Sequence, residues 1–465
     1  MESGYKPYFD PDFESLIQRM HPPRVCIDND TCDDCTLVKV DSVNKHGILL
    51  EMVEVLTDLD LVITKSYISS DVFHVRDQLG NKLTEESLIR YIKQALGAGG
   101  KGWTPKEVQT CMGRVVRPKP VSTAHTALEM TVMDRPGLLS EISAVLAELG
   151  CQVNAVSAWT HNSHAASIIY IGNKLEGGGT ITDPDKLAQV EEQLENVVGA
   201  HYGNGERMRV RFASPTMCKT HTERRLHQLM YADRDYERCN GGTGTEEKNE
   251  RCNSKGTKVS IEIFKEKGYS VVSVKCTDRP KLLFDTVCTL TDMNYVVSHA
   301  SISSKGAYAV QQEYYIRHMD GYTLDTENER RRVRQCLEAA IERRVPQGLR
   351  LDVCTKNRVG LLSDITRVFR ENGLSVSSTE ISTHGEKAVG FFYVTDASGN
   401  YVDQKTVELV RHEIGVTTLK VNRSPVWTPR TKSSSIEEKP KVTSFGSLLW
   451  SQLERLSGNF SSIRS

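Results

Sequence analysis

A six-residue turn occurs four times in this chain of 465 residues, and that recurrence limits the fold more than any single residue does. The copies are Asn44-Lys45-His46-Gly47-Ile48-Leu49, Asp134-Arg135-Pro136-Gly137-Leu138-Leu139, Asp278-Arg279-Pro280-Lys281-Leu282-Leu283 and Asn357-Arg358-Val359-Gly360-Leu361-Leu362. Each follows an alternating apolar run, as in Leu128 to Met133. Each precedes apolar residues at helical spacing, as in Leu138, Ile142, Val145, Leu146 and Leu149. Thirteen positions beyond the turn glycine (Lys281 in the third copy) stand Asp60, Gly150, Asn294 and Gly373. These residue types tolerate the left-handed conformation that ends a helix. Three positions further, Ile63, Val153, Val297 and Val376 open a second β-branched stretch. The unit therefore reads strand, tight turn, three-turn helix, cap, strand.

Read to its end, the full unit is strand-helix-strand-strand-helix-strand. This is the ferredoxin-like order of an α+β fold, an antiparallel sheet with helices on one face. Asp183-Pro184 marks a helix start in the second copy, with Asp as cap and Pro in the first helical position; Thr84 is the expected cap in the first. The first copy is short: 14 positions separate Ile63 from Asp77, against 20 from Val376 to Asp396. Either the fold tolerates a shorter hairpin, or this copy has lost an edge used for pairing. The third copy leaves no room for a fourth strand before Leu349. Hairpin strands at Val259 to Phe264 and Val25 to Asp28 are expected to fill that slot in copies three and one.

The repeats run over 24–117, 124–214, 258–345 and 348–424. Residues 215–257 read as a charged helix and then a flexible linker, dividing the chain into two halves of two repeats each. Residues 1–23 read as irregular. Residues 425–465 read as a mostly disordered tail with a short amphipathic helix. The loop Glu176 to Gly179 lacks the Lys-Ser/Thr pair of a phosphate cradle and reads as a surface loop.

Composition removes several function classes. The net charge of −1 gives no electrostatic footprint for nucleic acid and no polybasic membrane patch. No apolar run approaches the ~18–20 residues of a membrane span. The first residues carry no secretory or transit signal, so a cytoplasmic or nuclear, non-secreted protein with its twelve cysteines reduced is expected. Cys32 and Cys35 have metal-like spacing, but zinc takes about four ligands and no second pair follows. No metal and no cofactor is expected on that reading. Cys151, Cys276, Cys288 and Cys354 fall on apolar positions and are expected in the core.

The turn Asp-Arg-Pro-Gly-Leu-Leu after a strand, with Ile142, Leu146 and Leu149 behind it, resembles the ACT domain, a small regulatory module that binds amino acids. Four copies, with His221-Thr222-Glu223-Arg224-Arg225-Leu226-His227-Gln228 and Ala232-Asp233-Arg234-Asp235-Tyr236-Glu237 between the halves, resemble the plant ACT-domain-repeat (ACR) family over about residues 24–425. The units are also similar to those ending the bacterial uridylyltransferase/uridylyl-removing enzyme, which senses glutamine. The resemblance implies four tandem ACT domains in two pairs, self-associating through sheet edges or helices. It implies a free amino acid at the interface, glutamine among the candidates, and an unidentified regulated protein as partner.

Carried over by position, the ligand contacts are Asp134, Arg135, Gly137 and Leu138; Asn44, Gly47 and Ile48; and Asn357, Gly360 and Leu361. The physics fits: a turn glycine admits close backbone approach, and the helix start offers free N–H groups to a carboxylate. An acid such as Asp134 can receive an ammonium group. Lys281 departs from the pattern and argues against a ligand in repeat three. The same Asp and Asn positions also suit ordinary helix N-caps, and both readings stay open here.

Two rival functions are weighed beside a non-catalytic amino-acid sensor. Nucleotidyl transfer needs clustered carboxylates behind a Gly-Ser loop. Asp233 and Asp235 are the nearest pair, without that loop, and no His-Asp dipeptide occurs; no catalytic residue is assigned. The second rival is a scaffold whose repeats only pair with one another or with a partner's.

Overall fold

The computed structural model describes residues 23–42, 47–67, 72–97, 108–110, 115–116, 125–173, 179–201, 209–213, 220–237, 256–304, 310–345, 347–384 and 386–422. Asn44, most of the Glu176–Gly179 loop, the linker at 240–255, the first 22 residues and the tail with its short helix lie outside the described residues.

Repeat one runs β1 (Arg24–Asp28), β2 (Thr36–Asp41), α1 (Ile48–Asp58), β3 (Val62–Tyr67), β4 (Val72–Arg76) and α2 (Glu86–Leu96). A two-stranded ribbon, β5 (Val108–Gln109) with β6 (Val115–Val116), follows. Repeat two comprises β7 (Thr126–Met133), α3 (Leu138–Glu148), β8 (Cys151–His161), β9 (His164–Asn173), α4 (Pro184–Gly199) and β10 (Arg209–Phe212). After α5 (Thr222–Ala232), repeat three contains β11 (Lys258–Phe264), β12 (Tyr269–Cys276), α6 (Leu282–Asp292), β13 (Tyr295–Ser304), β14 (Val310–His318) and α7 (Glu327–Glu342). Repeat four has β15 (Leu349–Lys356), α8 (Leu361–Glu371), β16 (Leu374–His384), β17 (Lys387–Asp396), α9 (Gln404–Ile414) and β18 (Leu419–Asn422).

The turn and cap positions behave as their residue types dictate. Gly47, Gly137, Lys281 and Gly360 all have φ between +64° and +84°, and Asp60, Gly150, Asn294 and Gly373 all have φ between +56° and +69°. Asp183 caps α4 by accepting from the Asp185 N–H. In repeat one the cap is Glu85, not Thr84, and its carboxylate accepts from the Ser87 hydroxyl and not from a helix amide.

Both hairpin strands fill the predicted slot. β1 pairs antiparallel with β2, and β11 with β12, where β10 and β18 pair with β7 and β15 in repeats two and four. Repeats one and three are thus one variant of the unit, and two and four another.

Like pairs with like, which overturns the division into consecutive halves. One compact unit holds repeats one and three in an eight-stranded sheet of order β1-β2-β4-β3-β13-β14-β12-β11. The other holds repeats two and four in the order β10-β7-β9-β8-β16-β17-β15-β18. In each repeat the second strand is the open edge, and the two edges meet at the sheet centre. Local sequence sets which edge is open, but not which other edge it meets.

The seams differ. β8 and β16, 11 residues each, pair at five positions from Ser378↔Trp159 to Ser382↔Ala155. β3, with 6 residues, meets β13 at Ser301↔Tyr67 alone among the described residues.

Every second strand also carries a bulge at its third or fourth residue, at Thr64, Asn154, Ser298 and Ser377. A bulge turns the strand and frees a carbonyl from the ladder. Across the five-pair seam, Thr160 Oγ1 donates to Ser377 O (3.0 Å), and its symmetry mate Thr383 Oγ1 donates to Asn154 O (2.7 Å). At the sixth helix position the mates Ser143 and Thr366 share a buried hydrogen bond of 2.9 Å, where α1 and α6 carry Val53 and Val287. The α3–α8 seam is therefore held in register by a directional contact that the two valines at the same positions of α1 and α6 cannot make.

One continuous core joins repeats two and four, with Leu128, Ile169, Leu146, Phe369 and Phe392 fully buried under α3, α4, α8 and α9. Each such side chain contributes roughly 1.5–3 kcal/mol. The opposite face of repeat two is covered as well. Ala127, Ile168, Tyr170 and Trp159 pack against Leu226, Leu229 and Met230 of α5. The charged segment read as the start of a linker is in fact a third layer of the fold. Of its charges, Glu223, Arg225, Asp233 and Asp235 are buried, and each is paired with a partner from the sheet or from residues 343–344. Asp233 bonds His164 (2.7 Å) and Asp235 bonds His161 (2.9 Å) and Arg343, so this pair serves packing. Cys151 and Cys288 are buried as expected, whereas Cys276 and Cys354 are half-exposed. No helix among the described residues is long and apolar enough to cross a membrane.

Candidate ligand site

Two cavities related by the pseudo-symmetry lie where each first-strand turn of repeats two and four meets the other repeat. The larger, about 50 Å³, is lined by Asp134, Gly137 and Leu138 of the repeat-two turn and by Phe369, Val376 and Ser377 of repeat four. Its mate, about 30 Å³, is lined by Asn357, Gly360 and Leu361, with Ala147, Val153 and Asn154 opposite. With Arg135, which also lines the larger cavity, the structure brings seven of the expected residues onto two cavities at one inter-repeat seam. Gly47 and Ile48 hold the corresponding places in repeat one, at the start of α1, while Asn44 lies outside the described residues.

The turn acid does not cap its helix. The N-cap of α3 is Gly137 and that of α8 is Gly360, neither with a side-chain cap bond. Asp134 stands three residues earlier, its backbone N–H on Ser163 O at 2.7 Å. Burial pushes its carboxyl up to about 6, against a smaller opposing effect of the Arg135 N–H that it accepts. No cation is paired with it among the described residues, although Arg135 is adjacent. Arg135 instead turns to Glu141 on the first turn of α3, at 2.8 Å through Nη1 and closer still through Nη2, and that bond holds Glu141 below its ordinary value. The same pairing recurs as Arg279–Asp285 (2.6 Å) and Arg358–Asp364. The turn arginine is therefore a brace for the turn in three repeats, and Arg135 commits both Nη atoms to Glu141.

The two cavities differ in the chemistry they offer. Asn357, the mate of Asp134, donates through Nδ2 to Thr383 Oγ1 (3.0 Å) and at longer range to Val153 O (3.5 Å). It closes its own seam. Asp134 leaves a desolvated carboxylate facing a cavity, beside the first turn of α3, whose amides have no partners within the helix. A carboxylate next to a helix N-terminus fits a zwitterion, with the ammonium on the acid and the ligand's carboxylate on the amides.

One residue escaped the sequence reading. Each turn glycine abuts the tenth residue of the helix from the paired repeat: Gly47 meets Thr291 (3.9 Å), Gly360 meets Ala147 (3.9 Å), and Gly137 meets Arg370 (3.1 Å to Cδ), measured to a Cβ built on the glycine. Arg370 is an exposed residue whose Cγ and Cδ pass against the turn of repeat two, outside the residues that line the cavity. Aligning the repeats shows it as the odd member of the set Thr57, Ala147, Thr291 and Arg370, a signal that means nothing until repeat four is known to pair with repeat two. Gly137→Ala is expected to cost about 1–2 kcal/mol, the penalty for a side chain in the left-handed region. Arg370 must shift as well. The urea midpoint should fall with its slope unchanged; an unchanged midpoint would show that the turn accepts a Cβ.

Bifurcated sheets of ferredoxin-like units, paired at an open edge with ligand-sized gaps at the turns, define an ACT-domain repeat protein. Family models agree: residues 31–102 match the ACR family N-terminal ACT domain, 258–350 an ACR9-like, ACT-like domain, and 350–408 the ACT domain. The ACT domain-containing protein ACR1 of Arabidopsis thaliana is 49% identical over 481 residues, covering 100% of both chains. ACR3 of the same plant is 52% identical over 423 residues, 89% of this chain and 90% of the relative. The chain belongs to the ACT domain-containing ACR family. A shorter likeness, 36% over 81 residues, links 16% of this chain to 9% of the bifunctional uridylyltransferase/uridylyl-removing enzyme of Azospirillum brasilense. The ACR relatives are named for their ACT domains and not for any reaction.

Proposed function

We propose that this protein is a non-catalytic regulator that binds a free amino acid in the repeat-two cavity, acting in the cytoplasm or nucleus on a protein partner. The observation that carries this reading is Asp134: a desolvated carboxylate, raised to about 6 by burial, facing an inter-repeat cavity beside a helix N-terminus. In this reading Asp134 receives the α-ammonium, the first amides of α3 and the Arg370 guanidinium receive the α-carboxylate, and the apolar wall from Phe369 and Val376 receives the side chain. The repeat-four turn serves pairing, since Asn357 already bonds Thr383 in its own repeat and reaches Val153 O across the seam at 3.5 Å. Glutamine is one candidate ligand.

A scaffold without a small-molecule ligand is the second reading. The observation in its favour is size: about 50 Å³ holds a few waters, at roughly 10–15 Å³ each, and an amino acid needs the seam to open. A thermal-shift screen of the full chain against the twenty amino acids separates the two. A ligand at 100 times its Kd adds about 2.7 kcal/mol to the folded state. A selective rise in midpoint that Asp134→Ala and Arg370→Ala both remove supports the sensor. No response from a folded protein favours the scaffold.

A further inference from the structure

A metal-ligand cluster assembles in repeat one, away from the turn cavities. The loop between β1 and β2 brings Cys32 and Cys35 against His74 of β4, which pairs with Leu37 in the ladder. One ligand atom from each of the three lies within 4.8 Å of the others, and Cys35 Sγ is 3.3 Å from His74 Nδ1. In a tetrahedral zinc site, bonds of about 2.3 Å to sulfur and about 2.0 Å to nitrogen hold neighbouring ligand atoms roughly 3.5–3.8 Å apart. The three side chains therefore converge without rearrangement of the backbone. The sequence alone offered two ligands and no more; the third comes from a strand some forty residues on, placed by the sheet register.

We propose that Cys32, Cys35 and His74 bind Zn²⁺, with the fourth tetrahedral position open on the side of the half-exposed Cys32. The loop is fixed for this role. Asp28 accepts from the Asp30 and Thr31 N–H groups (3.0 Å each), which turns the chain just before Cys32, and Arg76 ties down Asp34 between the cysteines. The His74 ring rests edge-on against Tyr67 at 5.9 Å. Two thiolates with one imidazole are a donor set that suits zinc. The site would clasp the β1–β2 loop to β4.

The full chain, reduced, loaded with zinc and freed of excess, tests this by elemental analysis. About one zinc per chain is expected, the number a single three-residue site holds. Cys32→Ser, Cys35→Ser and His74→Ala should each lose most of it, while Cys26→Ser and Cys336→Ser keep it. Cobalt in the unaltered chain gives a readout that does not depend on the variants folding: intense visible bands of tetrahedral geometry with a thiolate charge-transfer band are expected. No retained metal, retention unaffected by all three substitutions, an octahedral cobalt spectrum, or a Cys32–Cys35 disulfide that takes up no metal after reduction would each overturn the proposal.

Discussion

Replacing Asp235 by alanine should destabilise the unit of repeats two and four by about 3–5 kcal/mol, the cost of stranding a buried charge. Asp235 is fully buried. It takes a forked bond from Arg343 and a 2.9 Å bond from His161, and its backbone carbonyl accepts from Asn162 Nδ2 at 2.7 Å. Burial alone would raise its carboxyl, but the Arg343 charge and the His161 bond outweigh that and hold it at about 2. His161 moves the opposite way: burial would lower it, and Asp235 and Glu342 raise it above its ordinary value. Because the Asp235 carboxyl lies below its unfolded value of 3.8, its contribution is present above that pH and fades as pH falls through about 2. Urea unfolding at pH 7 checks the size of the effect. Asp235→Leu with Arg343→Met should recover much of the loss, since removing both charges leaves neither stranded. A single variant as stable as the parent would mean that Arg343 and His161 find water or other acceptors.

Asp134→Asn should do the reverse and stabilise the protein, by about 1–3 kcal/mol at pH 8, since each tenfold difference in proton affinity is worth about 1.36 kcal/mol. The folded carboxyl sits at about 6 against 3.8 unfolded, so the folded state holds the proton more tightly. The stability this group contributes is full below 3.8 and is lost as pH rises through about 6. Above that the folded protein carries a desolvated charge. Asparagine carries none, so its advantage should grow between pH 4 and 6 and stay level beyond. The same variant should lose amino-acid binding, because the ammonium has no counter-charge. A gain in stability with loss of ligand is the signature of a residue held for binding and not for folding. A stability difference that does not vary with pH would show that Asp134 titrates as an ordinary surface acid.

The sequence carried the unit and hid the pairing. Turn glycines, the cap residues thirteen positions on, and the spare hairpin strands before β2 and β12 are all local preferences of the backbone, and each appears where its residue type requires it. The partnership of repeat two with repeat four is not local, and with it went Arg370; the approach of His74 to Cys32 and Cys35 depends on the β2–β4 register, which the cysteine spacing does not carry. The role of α5 was legible in part: Ile168-Ile169-Tyr170-Ile171 is continuous and not alternating, the mark of a strand buried on both faces, and a cover for the second face was needed. Its Glu and Arg residues masked this, because a charge reads as solvated until its buried partner is known.

The pairing order one with three and two with four means that the chain emerges from synthesis with its partners out of phase. Repeat one must wait through all of repeat two, and repeat two through all of repeat three, before the edge it needs exists. During that interval two bare strand edges, β3 and β8, lie side by side in time without being each other's match, the circumstance in which non-native strand pairing competes best. All four second strands share the bulge, so the contacts particular to the β8–β16 seam, the Thr160 and Thr383 cross-bonds, are what favour the later partner over the near neighbour. A second chain carries the same contacts. Exchange of whole repeats between two copies thus satisfies every edge that the single chain satisfies, and only the length of the connecting segments favours closure within one molecule.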